Sequence, residues 1–76
     1  MPLELVTFVV QNLVEEPEAL RIESRSDSRG VHIEIRCAEG DAGRIIGRGG
    51  RLINSIRTLA RAAADGRQRV DVHLID

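Results

Sequence analysis

Three glycines within four residues, Gly47-Arg48-Gly49-Gly50, stand between two apolar helical stretches, and they limit what this chain can become. Glycine reaches positive-φ backbone that other residues reach only under strain, so one continuous helix does not run through this point. Upstream, a short helix over about residues 41–46 carries Ile45 and Ile46. Downstream, Leu52, Ile53, Ile56, Leu59, Ala60 and Ala63 form the apolar stripe of an amphipathic helix over residues 51–64, which Asp65 and Gly66 end. The chain must therefore turn tightly between two helices.

The remaining segments supply what those helices cover. Leu3, Val6, Val10 and Leu13 follow helical spacing behind Pro2, predicting a helix over residues 2–14 closed by Glu15-Glu16-Pro17. Leu5, Phe8 and Val9 widen its stripe beyond one packing face, and the excess is expected to meet either the second long helix or another subunit. Residues 19–26, 31–37 and 69–75 alternate apolar and polar, predicting three strands, the first two joined as a hairpin through Asp27-Ser28-Arg29-Gly30. The order is α-β-β-α-α-β. All three strands are apolar on one side only, so an α+β sandwich of two layers is expected, with helices on one sheet face.

Seventy-six residues have room for one core, and a single domain over 1–76 is expected. No apolar run approaches the roughly 18 residues of a membrane helix, and the start of the chain lacks a secretory pattern, so the cytoplasm is the expected compartment. One cysteine, Cys37, makes no internal disulfide, and with two distant histidines a structural metal is not expected.

A net charge of −1 conceals an asymmetry: residues 1–42 carry four Arg against nine acids, and residues 43–76 seven Arg against three. Within residues 43–61 stand Arg44, Arg48, Arg51, Arg57 and Arg61 with no acid among them. Such a segment attracts anions, and the start of the second helix adds unpaired N–H donors. Two phosphate motifs fail here. From Gly43 the P-loop pattern meets Arg48 where it needs glycine, and from Gly47 the dinucleotide fingerprint meets Leu52 where it needs glycine.

The stretch resembles instead the KH-type RNA-binding modules, whose GXXG loop between two helices clamps a single-stranded backbone. Gly47-Arg48-Gly49-Gly50 matches the loop, Ile45-Ile46 precede it, and Leu52, Ile53 and Ile56 follow it. The element order looks like the type II arrangement, a three-stranded mixed sheet. Short length, Ile56-Arg57-Thr58-Leu59 and Ala62-Ala63-Ala64 look like the small bacterial stand-alone KhpA family. Where that family often has lysine or glutamine in the loop, this chain has Arg48 and Gly49.

The resemblance implies non-catalytic binding of single-stranded RNA by Arg44, Ile45, Ile46, Gly47, Arg48, Gly49, Gly50, Arg51, Ile53 and Arg57. Phosphates would meet the loop and its arginines, and bases an apolar groove floored by Ile45, Ile46 and Ile53 or with Ile35 on its sheet side. It further implies an RNA chaperone or post-transcriptional regulator, self-association, a larger KhpB-like KH partner, and a role in cell shape or division, without a cofactor. From the residues alone, Ile45, Ile46 and Ile53 fit core as well as groove. Arg57 and Arg61 equally fit a solvated helix face.

Phe8 is the sole aromatic, which argues against modules that stack bases on exposed rings. Three or four neutralised phosphates predict a log–log salt slope of about −2 to −3. His32 and His73 fall on the solvated sheet face among Arg21, Glu23, Arg25, Glu34, Arg36, Arg69 and Asp71, which reads as a charged ladder. No nucleophile–base spacing accompanies the loop, so catalysis is not expected. An adaptor that works through protein partners is the alternative reading.

Overall fold

Pro2 opens the first helix of the computed structural model, which describes residues 1–66 and 68–75. Helix α1 spans Pro2–Gln11, shorter than its apolar periodicity predicts. Leu13 and Val14 still donate to the Val10 carbonyl, at 3.0 and 3.3 Å. The next two amides do not continue the helix: Glu15 N–H and Glu16 N–H donate to the two oxygens of the Asp41 carboxylate, at 2.9 and 3.0 Å. Asn12 Nδ2 donates to the Phe8 carbonyl at 2.7 Å where α1 ends, and a distant acid then holds the chain that follows. Pro17 then starts a single 3₁₀ turn, Pro17–Ala19, and the first strand begins at Arg21 instead of residue 19.

Strands β1 (Arg21–Asp27) and β2 (Gly30–Arg36) pair antiparallel from Arg21↔Arg36 to Asp27↔Gly30, leaving Ser28 and Arg29 as the turn. Asp27 Oδ1 accepts the Arg29 N–H at 2.8 Å. Gly30 has φ 135°, and a Cβ there would run into the Arg69 carbonyl, the acceptor for Val31 N–H. Strand β3 (Val70–Leu74) runs parallel to β2, from Val31↔Val70 to Ile35↔Leu74, so the sheet order is β1-β2-β3. A parallel pair needs a crossover, supplied here by helices α2 (Ala42–Ile46) and α3 (Arg51–Ala63).

The alternation of the strands sorts the two sheet faces as expected. Ile33, Ile35, Val70 and Val72 point into the helical layer and are buried with Val6 and Val10 of α1, Ile45 of α2, and Ile53, Ile56 and Ala60 of α3. Each fully buried isoleucine (Ile33, Ile35, Ile45, Ile56) contributes roughly 1.5–3 kcal/mol of transfer free energy against the cost of ordering the chain. The result is an α+β fold with a mixed three-stranded sheet and its helices on one face. Among the described residues, no helix is long and apolar enough to cross a membrane.

Candidate nucleic-acid interface

Helix α2 is barely more than one turn, and its exit is set by glycine. Gly47 N–H closes the helix on the Gly43 carbonyl at 2.9 Å, and Gly47 itself has φ 76° and ψ 174°. A Cβ at Gly47 would lie 2.5 Å from the Leu52 Cβ and 2.9 Å from the Leu52 nitrogen. Glycine is therefore required twice, for the backbone angle and for the approach of the first turn of α3. Arg48–Gly50 form one 3₁₀ turn in which Gly49 (φ 62°) and Gly50 (φ 77°) are left-handed. Among the described residues no side chain caps the start of α3, so its first amides and the positive end of its dipole open onto this turn.

The five arginines of the acid-free segment have different fates. Arg48 and Arg51 are exposed, and neither guanidinium has an ion pair or hydrogen bond among the described residues. Arg44 is committed elsewhere, 2.9 Å from Glu15 Oε1 and 3.3 Å from Asp41 Oδ1. Arg57 Nε donates to the Val72 carbonyl at 3.0 Å and its terminal nitrogen to Asn54 Oδ1 at 3.0 Å. Arg61 Nε donates to the Val70 carbonyl at 3.2 Å. Val70 and Val72 belong to β3, an edge strand, and their carbonyls face its unpaired side. Arg57 and Arg61 thus cover an exposed strand edge, a role that neither sequence-level account of them included.

The isoleucines divide as sharply. Ile45 is fully buried and Ile53 is 7% exposed, so both side chains belong to the core rather than to a surface groove. Ile46 is 39% exposed beside the glycine turn and is the apolar side chain of the three that a ligand can reach. Ile35, also expected on a groove wall, is fully buried for the same reason: it points into the helical layer. An apolar hollow of about 460 Å³ is lined instead by Cys37, Ala38, Glu39, Ala42, Leu74 and Ile75.

Asp41 is the residue that sequence reasoning missed. Its carboxylate is 2% exposed and holds the α1–β1 connection against the entry to α2 through Glu15, Glu16 and Arg44. Its only sequence signal is an acid just before a short helix, which reads as an ordinary N-terminal residue.

Two helices joined by a GXXG turn, packed on a mixed three-stranded sheet in the order α-β-β-α-α-β, define a KH domain of the type II arrangement. Residues 3–75 match the family described as KhpA/KhpB, KH domain, and this chain belongs to that family. A protein of Leifsonia xyli named RNA-binding protein KhpA is 46% identical over 68 residues, covering 88% of this chain and 90% of the relative. Its namesake in Borreliella burgdorferi is 35% identical over 75 residues, covering 97% and 92%. Another, in Streptomyces coelicolor, is 33% identical over 73 residues, covering 96% and 92%.

Proposed function

We propose that this chain is a single non-catalytic KH domain that binds single-stranded RNA in the cytoplasm through Gly47, Arg48, Gly49, Gly50, Arg51 and Ile46. The observation that carries this reading is the pair of exposed, uncommitted guanidinium groups on a left-handed glycine turn that feeds an uncapped helix. Backbone N–H groups and guanidinium forks are the donors that phosphate oxygens accept, and Ile46 offers an apolar contact for a base. Membership in a family whose relatives are named RNA-binding protein KhpA supports the same ligand. An RNA chaperone or post-transcriptional regulator is the role that fits such a small module. Arg44 and Arg57 join the site only if they leave their present partners.

Fluorescence anisotropy with a labelled single-stranded RNA pool at several salt concentrations tests this. Arg48 and Arg51 alone predict a log–log slope of about −1.4, and recruitment of Arg44 and Arg57 steepens it to about −2.8. Absence of saturable binding, or a slope of about −5 or steeper, would rule out a four-nucleotide clamp.

A second reading, that the chain acts chiefly as a homodimer or as an adaptor beside a KhpB-like protein, is favoured by Phe8. This large side chain is 64% exposed on α1, on the face it shares with Met1, which is 83% exposed. Leaving an aromatic ring in water forgoes about 1.5–3 kcal/mol of burial, which a partner surface would recover. Phe8→Ser is expected to shift the chain from dimer to monomer in sedimentation while leaving its circular dichroism unchanged. An unchanged sedimentation profile, or a monomeric native chain, would count against this surface.

A further inference from the structure

The sheet face turned away from the helices carries a cluster with no part in the glycine turn. His32 and Asp71 are register partners across the parallel β2–β3 pair, and His73 follows two residues along β3, opposite Glu34. The two imidazole rings stack with centroids 5.9 Å apart and planes inclined by 19°. His32 Nε2 lies 3.1 Å from Asp27 Oδ2, and His32 Nδ1 lies 4.0 Å from Asp71 Oδ2. One donor atom from each of His32, Asp71 and His73 falls within 4.8 Å of the other two.

Hydrogen-bond geometry orients His32 in this cluster. Asp27 Oδ1 accepts the Arg29 N–H at 2.8 Å, which turns Oδ2 toward His32 Nε2. With Asp27 accepting from Nε2–H, the Nδ1 lone pair of His32 lies on the side of Asp71. Arg61 approaches the other oxygen of Asp71, Oδ1, at 3.6 Å, which leaves Oδ2 available. Arg25 and Arg36, on the same face, are tied to Asp27, Glu34 and Glu23 at 3.5–3.9 Å.

We propose that His32, Asp71 and His73 bind a divalent transition-metal ion, of which Zn²⁺ is the type, with Asp27 orienting His32 and Arg61 orienting Asp71. Two imidazole nitrogens and one carboxylate oxygen suit Zn²⁺, Ni²⁺ or Cu²⁺ and not the all-oxygen preference of Mg²⁺ or Ca²⁺. Tetrahedral bonds of about 2.0–2.2 Å set donors about 3.3–3.6 Å apart, so the stacked rings must turn out of parallel for both lone pairs to meet one ion, and water completes the set. Reading Cys and His alone as ligands hides this site, because Asp71 joins it only through the β2–β3 register. The ion would bridge the central strand and the edge strand β3.

The test uses the tag-free full chain, titrated calorimetrically with Zn²⁺ and melted with and without it. One ion per chain is expected, with a thermal midpoint raised by several degrees at saturation. His73 is exposed, so His73→Gln tests the site without threatening the core; it and Asp71→Asn are each expected to weaken Zn²⁺ binding at least about tenfold. Cys37→Ser is expected to leave binding unchanged, and Mg²⁺ is expected not to compete. The proposal falls if no saturable binding occurs at millimolar Zn²⁺, if His32→Gln and His73→Gln bind as the native chain does, or if Cys37→Ser abolishes binding.

Discussion

Arg48→Asp/Gly49→Asp is expected to lower affinity for single-stranded RNA by about 30-fold or more while the chain stays folded. The double variant changes the turn by three charges, placing two carboxylates where phosphate is proposed to sit. Each exposed charge contact is worth roughly 1 kcal/mol after screening, and about 1.4 kcal/mol is tenfold in affinity, so two to three such terms give the stated loss. Folding is affected little, because the Arg48 guanidinium has no partner among the described residues and a Cβ at Gly49 meets nothing within 4 Å. The residual cost is the left-handed backbone at φ 62°. Aspartate tolerates that region better than most residues, at about 1 kcal/mol, or a midpoint lower by roughly 4–8 °C. Arg48→Gln/Gly49→Asn separates charge from backbone strain, since it shares the strain without adding carboxylates, and it is expected to bind RNA several-fold better than the Asp pair. Anisotropy beside a thermal melt reads both effects. If the folded Asp variant binds as tightly as the native chain, the turn is not the RNA site, and the Phe8 surface becomes the leading reading.

Local signals carried the element order, and tertiary contacts set what they left open. Alternation in residues 31–37 and 69–75 placed Ile33, Ile35, Val70 and Val72 on one side, and those are the buried ones. The path of the chain after α1 was not legible, because the Asp41 carboxylate that captures the Glu15 and Glu16 amides lies 26 and 25 residues away. Ile45 and Ile46 look alike in sequence; one turn of helix sends the first into the core and leaves the second at the surface. Arg57 and Arg61 read as solvated or anion-binding because nothing in a single sequence says that β3 is an edge strand whose carbonyls lie within their reach. The glycine turn was legible for the opposite reason. Its constraint is local: positive φ at Gly47, Gly49 and Gly50 is a property that the residue type itself announces.

Asp41→Ala is expected to cost about 3 kcal/mol of folding stability, the largest loss from any single side chain outside the apolar core. The substitution removes the acceptor for two backbone N–H groups, Glu15 and Glu16, in a part-buried connection. A buried donor left without a partner costs about 1–3 kcal/mol, and both lose theirs together. For a chain of this size that is a large share of the total, and the midpoint should fall by more than about 10 °C. Asp41→Asn keeps one oxygen acceptor but turns an NH₂ toward the second amide, so about half the loss is expected. Arg44→Gln measures the ion pair by itself. Arg44 and Glu15 are exposed, at side-chain values of 47% and 71%, where solvent screening holds such a pair below about 1 kcal/mol. The order Ala, then Asn, then Arg44→Gln in thermal and urea melts identifies the amides as the reason for a buried acid at this position. Equal losses for Asp41→Ala and Arg44→Gln would assign the effect to the ion pair instead. Asp41 is also the residue before α2, the helix that ends in Gly47. Releasing it loosens the first support of the glycine turn, so the folded fraction of Asp41→Ala should bind RNA several-fold more weakly than the native chain, although Asp41 is not among the proposed contact residues.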